Sequence, residues 1–143
     1  MTKLDHCNIR TFDLKATVEF YTEVVELRNG DFPGQRQFGA WLYDSTDRPI
    51  LHVIAIDPKD PEVALTRIRE RIGGLGGDYL DVDSIKGTGT IDHIAFECAD
   101  YDAMEGKLTQ RGLKYTRNDV PSLKLRQLFV NDPNGVTLEL NFR

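Results

Sequence analysis

At 143 residues, with 40% hydrophobic and 29% charged side chains, the chain is long enough to bury a core and has the composition of an ordinary globular protein. A net charge of −5, with no basic block, argues against nucleic acid as a partner, because phosphate binding needs a basic surface. No apolar run approaches the ~20 residues that cross a bilayer, and the opening MTKLDHCNIR lacks the apolar core of a signal peptide, so no membrane partner and a cytoplasmic location are expected.

Residues 4–11 alternate as a strand does. Asp13 is placed to cap a helix whose apolar positions run from Leu14 to about Leu27. RNGDFPG (28–34) holds turn residues, and FGAWLYD (38–44) and PILHVIAI (49–56) read as strands joined by STDR. A helix is expected over 57–72, entered through Pro61 and Glu62. The glycine-rich 73–90 follows as a flexible connector, since no Gly-Lys-Ser/Thr marks it as a phosphate loop. IDHIAFEC (91–98) then opens the same order again: a helix over 101–112, and strands over 113–119, 125–131 and 136–142, with a tight DPNG turn before the last. Cys7 and Cys98 are too few for a disulfide framework and read as small core residues.

The repetition has a fixed offset. Asp5 and Asp92, His6 and His93, and Asp13 and Asp100 are each 87 residues apart, and the same offset sets His52 opposite Glu139. Strand alternation then sorts the side chains. Cys7 and Ile9 oppose His6, Asn8 and Arg10, and Leu51 and Val53 oppose His52 and Ile54. Ile94, Phe96 and Cys98 oppose His93, Ala95 and Glu97, and Leu138 and Leu140 oppose Glu139 and Asn141. Each of four strands therefore has one apolar face, and each opposite face carries a histidine or a carboxylate. Together these are all three histidines of the chain plus one glutamate, a set suited to a divalent metal. No histidine is left over for a Ser-His-Asp arrangement.

The doubled strand–helix–three-strand order, LDH and IDH opening each half, ILH in the fourth strand and FVNDPNGVTLEL at the end resemble the vicinal oxygen chelate superfamily. That family includes glyoxalase I, fosfomycin-resistance proteins, methylmalonyl-CoA epimerase, extradiol dioxygenases and bleomycin-resistance binding proteins. The resemblance implies an α+β fold: two tandem βαβββ modules, 1–57 and 91–143, joined by a connector with a helix over 58–90, forming a cupped and mostly antiparallel sheet around one metal. It also implies a short edge strand at 28–34 and a homodimer.

By the same resemblance His6, His52, His93 and Glu139 map onto the metal-ligand positions, with His52 at the variable one. The ion is then a single divalent one: Fe, Ni, Zn, Co or Mn. The expected substrate is a small molecule with vicinal oxygens, and the expected chemistry is that of a metal-dependent lyase or isomerase. Glu139 or Glu97 would move the proton. Asn8, Arg10, Gln127, Phe129 and Asn141 would line the substrate, with Trp41 and Tyr43 on the opposite, packing face. A small extradiol-type Fe(II) dioxygenase is the alternative, although Phe129 stands where those enzymes carry a tyrosine and VPSLKLRQ lacks their upstream histidine. A metal-free bleomycin-resistance-like binding protein is the third reading. Four ligating residues leave two open positions on an octahedral ion, and three leave three, so the place of His52 bears on the chemistry.

Overall fold

A computed structural model describes residues 4–71, 73, 81–89 and 91–143. Two compact units divide the chain at Ile85/Lys86. The first holds β1 (Cys7–Thr11), α1 (Leu14–Glu23), β2 (Arg28–Asn29), β3 (Gly39–Tyr43), β4 (Pro49–Ala55) and α2 (Pro61–Arg71). The second holds β5 (Ile94–Glu97), α3 (Tyr101–Gln110), β6 (Tyr115–Val120), β7 (Leu125–Asn131) and β8 (Thr137–Phe142). Each unit is built on one four-stranded mixed sheet, ordered β1-β4-β3-β2 in the first and β5-β8-β7-β6 in the second. The only parallel pairs among the described strands are β1 with β4 and β5 with β8. The doubled βαβββ order is thus present. The expected edge strand is the two-residue β2.

The helix starts follow from the sequence. Asp13 accepts a hydrogen bond from the Ala16 amide at 2.9 Å, and Asp100 accepts one from Ala103 at 3.0 Å, each satisfying an amide that the first turn leaves open. In the first unit α1 packs on β3 and β4, and Tyr21, Leu42, Leu51 and Val53 are almost fully buried. In the second, Met104 and Leu108 of α3 are buried, as are Leu128, Leu138 and Leu140 of the sheet, while Tyr101 meets Phe142 edge-on. Cys7 and Cys98 are half-buried and form no disulfide.

Three local expectations change. His6 and His93 stand one residue ahead of β1 and β5 rather than inside the strands expected over 4–11 and 91–98. The connector is less plain than its glycines suggest: Asp83–Ile85 form a 3₁₀ turn, and Ile85 is buried with Ile56, Leu65 and Ile68. Residues 74–80 and 90 of that segment lie outside the described residues. Trp41 and Tyr43 do not form a packing face away from the histidines. Trp41 is the direct cross-strand partner of His52 and shares its face, because a bulge between Leu42 and Tyr43 gives the β3–β4 hairpin one residue more than its β7–β8 counterpart.

The DPNG turn sets the register of β8. Asp132 is buried, and its Oδ1 accepts from the Asn134 and Val136 amides at 2.8 Å each. Gly135, at φ +80°, closes the turn where an L-residue would be strained. The hairpin then places Glu139 directly opposite Phe129. No helix among the described residues is long and apolar enough to cross a membrane.

Leu128→Ala removes a fully buried side chain from the β7 core. It is expected to lower unfolding stability by about 2–5 kcal/mol in a urea titration, whereas exposed Leu123→Ala stays within about 0.5 kcal/mol of the parent.

Candidate metal centre

In the second unit, His93 and Glu139 meet. His93 Nε2 lies 3.2 Å from Glu139 Oε2, and His93 Nδ1 lies 2.8 Å from Asp92 Oδ2. A carboxylate accepts only, so Nδ1 carries the hydrogen given to Asp92, and Nε2 presents its lone pair towards a second carboxylate. Two electron-rich atoms at 3.2 Å are stable only with a proton or a cation between them.

The other Glu139 oxygen is held from behind. Asn141 Nδ2 donates to Glu139 Oε1 at 2.8 Å, Gln127 Nε2 donates to Asn141 Oδ1 at 2.9 Å, and Asn118 Nδ2 donates to Gln127 Oε1 at 2.5 Å. Because the carboxylate cannot donate, the orientation of every amide along this ladder is fixed from Glu139 outward. Gln127 and Asn141 are both buried, which makes the ladder costly to break. Phe129 closes the group, meeting the His93 ring edge-on at 6.1 Å.

The first unit repeats the opening of this arrangement and then departs from it. His6 Nδ1 lies 2.7 Å from Asp5 Oδ2, and that hydrogen bond holds the Asp5 carboxyl below its usual range. His6 Nε2 is therefore left with its lone pair outward. His52 is stacked between two rings: His6 at 3.9 Å and 17°, and Trp41 at 4.3 Å and 11°. Burial pushes the His52 pKa down, and the neighbouring His6 adds to the effect against a weaker upward pull from Asp5. The ring is thus neutral near pH 7, and its Nε2 is buried without a hydrogen-bond partner. Nearly parallel rings at this spacing do not aim two in-plane lone pairs at one ion, so His52 joins His6 on a metal only by leaving the stack.

The remaining expected residues are placed as follows. Asn8 is exposed beside His52 as its parallel-strand partner. Arg10 is turned to the connector, where Ser84 takes two hydrogen bonds from it at 3.2 Å each; burial lowers its pKa. Glu97 lies at the far end of β5, strongly exposed and 3.9 Å from Arg143, with no contact to the His93–Glu139 pair. Gln127 and Asn141 act on Glu139 through the ladder. The ladder itself was hidden in sequence, although alternation does put Glu139 and Asn141 on one face.

Among the described residues no group of three or more His, Cys, Asp and Glu side chains is placed to hold a metal ion, so within each unit the donors come in pairs. Those pairs suit a divalent ion: imidazoles fixed in the Nε2-donor tautomer by a carboxylate on Nδ1, a braced carboxylate, and an orphaned buried nitrogen.

Known proteins bear on this arrangement. None of the curated proteins matches the chain. Solved structures do, at low identity. A glyoxalase/dioxygenase from Nostoc punctiforme has a TM-score of 0.68 at 16% identity, covering 98% of this chain and 90% of that one. A genomically encoded fosfomycin resistance protein from Listeria monocytogenes has 0.66 at 13%, covering 100% and 94%. A lactoylglutathione lyase from Agrobacterium tumefaciens has 0.62 at 17%, covering 99% and 94%. At such identities the likeness shows the fold. The sequence pattern of the Glyoxalase/Bleomycin resistance protein/Dioxygenase superfamily, however, matches residues 3–140, nearly the whole chain, and the chain belongs to that superfamily.

Proposed function

We propose that the protein is a metal-dependent, glyoxalase-like lyase or isomerase whose small substrate chelates a divalent ion through two adjacent oxygens. His6, His93 and Glu139 are the proposed ligands, with His52 kept in its ring stack. The observation that carries the reading is the His93–Glu139 pair, each member held from behind, by Asp92 and by Asn141. A bound divalent ion supplies Lewis-acid polarisation of the two substrate oxygens.

The chain's own groups do the rest. Asp5 and Asp92 keep the two imidazoles in one tautomer and orientation. Glu139 is the base of this reading: Oε1 stays on Asn141, while Oε2, the oxygen nearest His93, would come off the ion to take the substrate proton and return to it once the proton is given back. Glu97 is too exposed to serve, and its neighbour is Arg143. Three ligands leave three positions on an octahedral ion, which also admits an extradiol-type Fe(II) dioxygenase as a second reading. Phe129 beside His93, in place of a hydroxyl-bearing side chain, favours the lyase or isomerase.

Protein purified without added metal is expected to hold one divalent ion per chain by elemental analysis. His93→Ala and Glu139→Gln are expected to lose it, and unchanged metal content in both would falsify the metal site. Consumption of O₂ on adding a catechol to the iron-loaded protein would replace the first reading by the second. His52→Phe keeps a ring between His6 and Trp41 and is expected to retain the metal, with affinity within about tenfold of the parent by competition titration; complete loss would put His52 among the ligands. Asn141→Leu, close in volume, removes the donor on Glu139 Oε1. It is expected to weaken metal affinity by about 10–100-fold without loss of the folded circular-dichroism spectrum.

A further inference from the structure

The first unit contains a cavity lined by none of the three proposed metal ligands. It has a volume of about 510 Å³ and opens between the His52 face of the sheet and helix α2. Phe32, Phe38, Trp41, Ile54, Val63 and Ile68 make its walls apolar, and Phe38 and Val63 stay about half exposed at its edges. That size falls within the range of small-molecule sites, and the wall chemistry suits a ring.

The cavity is built by specific departures from the second unit. Where Asn141 stands in β8, β4 has Ile54, and the cross-strand partner that is Gln127 in β7 is Gly39 in β3. A Cβ on Gly39 would lie 2.3 Å from the Val53 carbonyl oxygen and 3.1 Å from the Phe32 ring. Glycine here lets Phe32 close over the strand and meet Trp41 edge-on at 6.3 Å. The polar ladder of one module is replaced in the other by an apolar wall.

The charged lining is sorted by position. Asp57 and Asp60 are at the start of α2. Asp57 accepts from the Lys59 amide at 2.8 Å, and Asp60 immediately precedes the first helical residue, where the helix dipole favours a negative charge. Arg67 and Arg71 stand one turn apart on the cavity side of the same helix, and among the described residues neither has an ion pair. Like charges at this spacing repel, and an anion between them relieves the repulsion.

We propose that this cavity binds the apolar body of a ring-bearing small carboxylic acid, with its carboxylate at Arg67 and Arg71 and its ring against Trp41. That this ligand is the substrate rests on the reading above; that the cavity binds it does not.

Trp41 is the one tryptophan in the sequence, so its fluorescence reports the cavity directly. The measurement is a titration of metal-free protein with 3-phenylpropanoate, 3-phenylpropan-1-ol and propanoate, excited where the phenyl group does not absorb. Saturable change is expected with phenylpropanoate, about tenfold weaker binding with the alcohol, and none with propanoate. Arg67→Gln/Arg71→Gln is expected to remove the acid's advantage, and Val63→Glu, exposed and so tolerated, to abolish both ring ligands. Either no saturation with phenylpropanoate or acid binding unchanged in both variants overturns the proposal. His93→Ala does not line the cavity and is expected to bind phenylpropanoate as the parent does; loss of metal with retained binding separates failure of the metal reading from failure of this one.

Discussion

The last strand of each module is the one on which the others are registered. β4 lies between parallel β1 and antiparallel β3, and β8 lies between β5 and β7. A strand hydrogen-bonded on both sides cannot slip by one residue without turning its apolar face to water and its polar face to the core. Leu138 and Leu140 are fully buried on one face of β8, so Glu139 is committed to the other. The same holds for Leu51 and Val53 against His52 in β4. The site chemistry therefore inherits its placement from core packing, with the buried Asp132 turn fixing where the β7–β8 register begins.

Duplication with divergence explains why the two modules differ around matching positions. Both keep an Asp-His pair in which the carboxylate fixes the imidazole tautomer, and both keep the Asp cap on the following helix. Beyond that, the second module spends its sheet face on hydrogen bonds that run from Asn118 to Glu139. The first spends it on ring faces, from His6 through His52 to Trp41, and on the apolar wall beyond. A braced carboxylate suits proton movement and metal binding, while stacked rings and an apolar cavity suit recognition of a substrate body.

Much of this was legible in the sequence because the repeat offset is constant. Two residues of strand periodicity and one fixed offset suffice to set Asp5/Asp92, His6/His93 and His52/Glu139 in equivalent places and to sort Leu138 from Glu139. The offset failed where the chain gains a residue. Carried without a gap, it pairs Trp41 with Leu128, a core residue; the bulge after Leu42 shifts the pairing so that Trp41 corresponds to Phe129 and faces His52. A one-residue insertion has no signature in composition. The amide ladder was also hidden, because Asn118, Gln127 and Asn141 come from three strands and become partners only through the β6–β7–β8 register. Arg10 looked free for a substrate because its partner Ser84 is 74 residues away in a segment whose glycines suggested no structure.

His52 shows most sharply how packing limits chemistry. Its equivalent, Glu139, is a flexible carboxylate whose second oxygen is fixed while the first stays available. An imidazole has no such freedom, since both nitrogens turn with one rigid ring. With Trp41 on one face and His6 on the other, rotating that ring towards an ion would give up two stacking contacts, each worth about 0.5–1.5 kcal/mol for aromatic pairs. A metal–imidazole bond is strong enough to offset that cost, but His6 would have to move as well, because the stack shares its ring. The bulge that brought Trp41 onto this face thus leaves His52 as a spacer between the His6 ring and the apolar cavity. One inserted residue in a hairpin changes the surroundings of a side chain without changing the side chain itself.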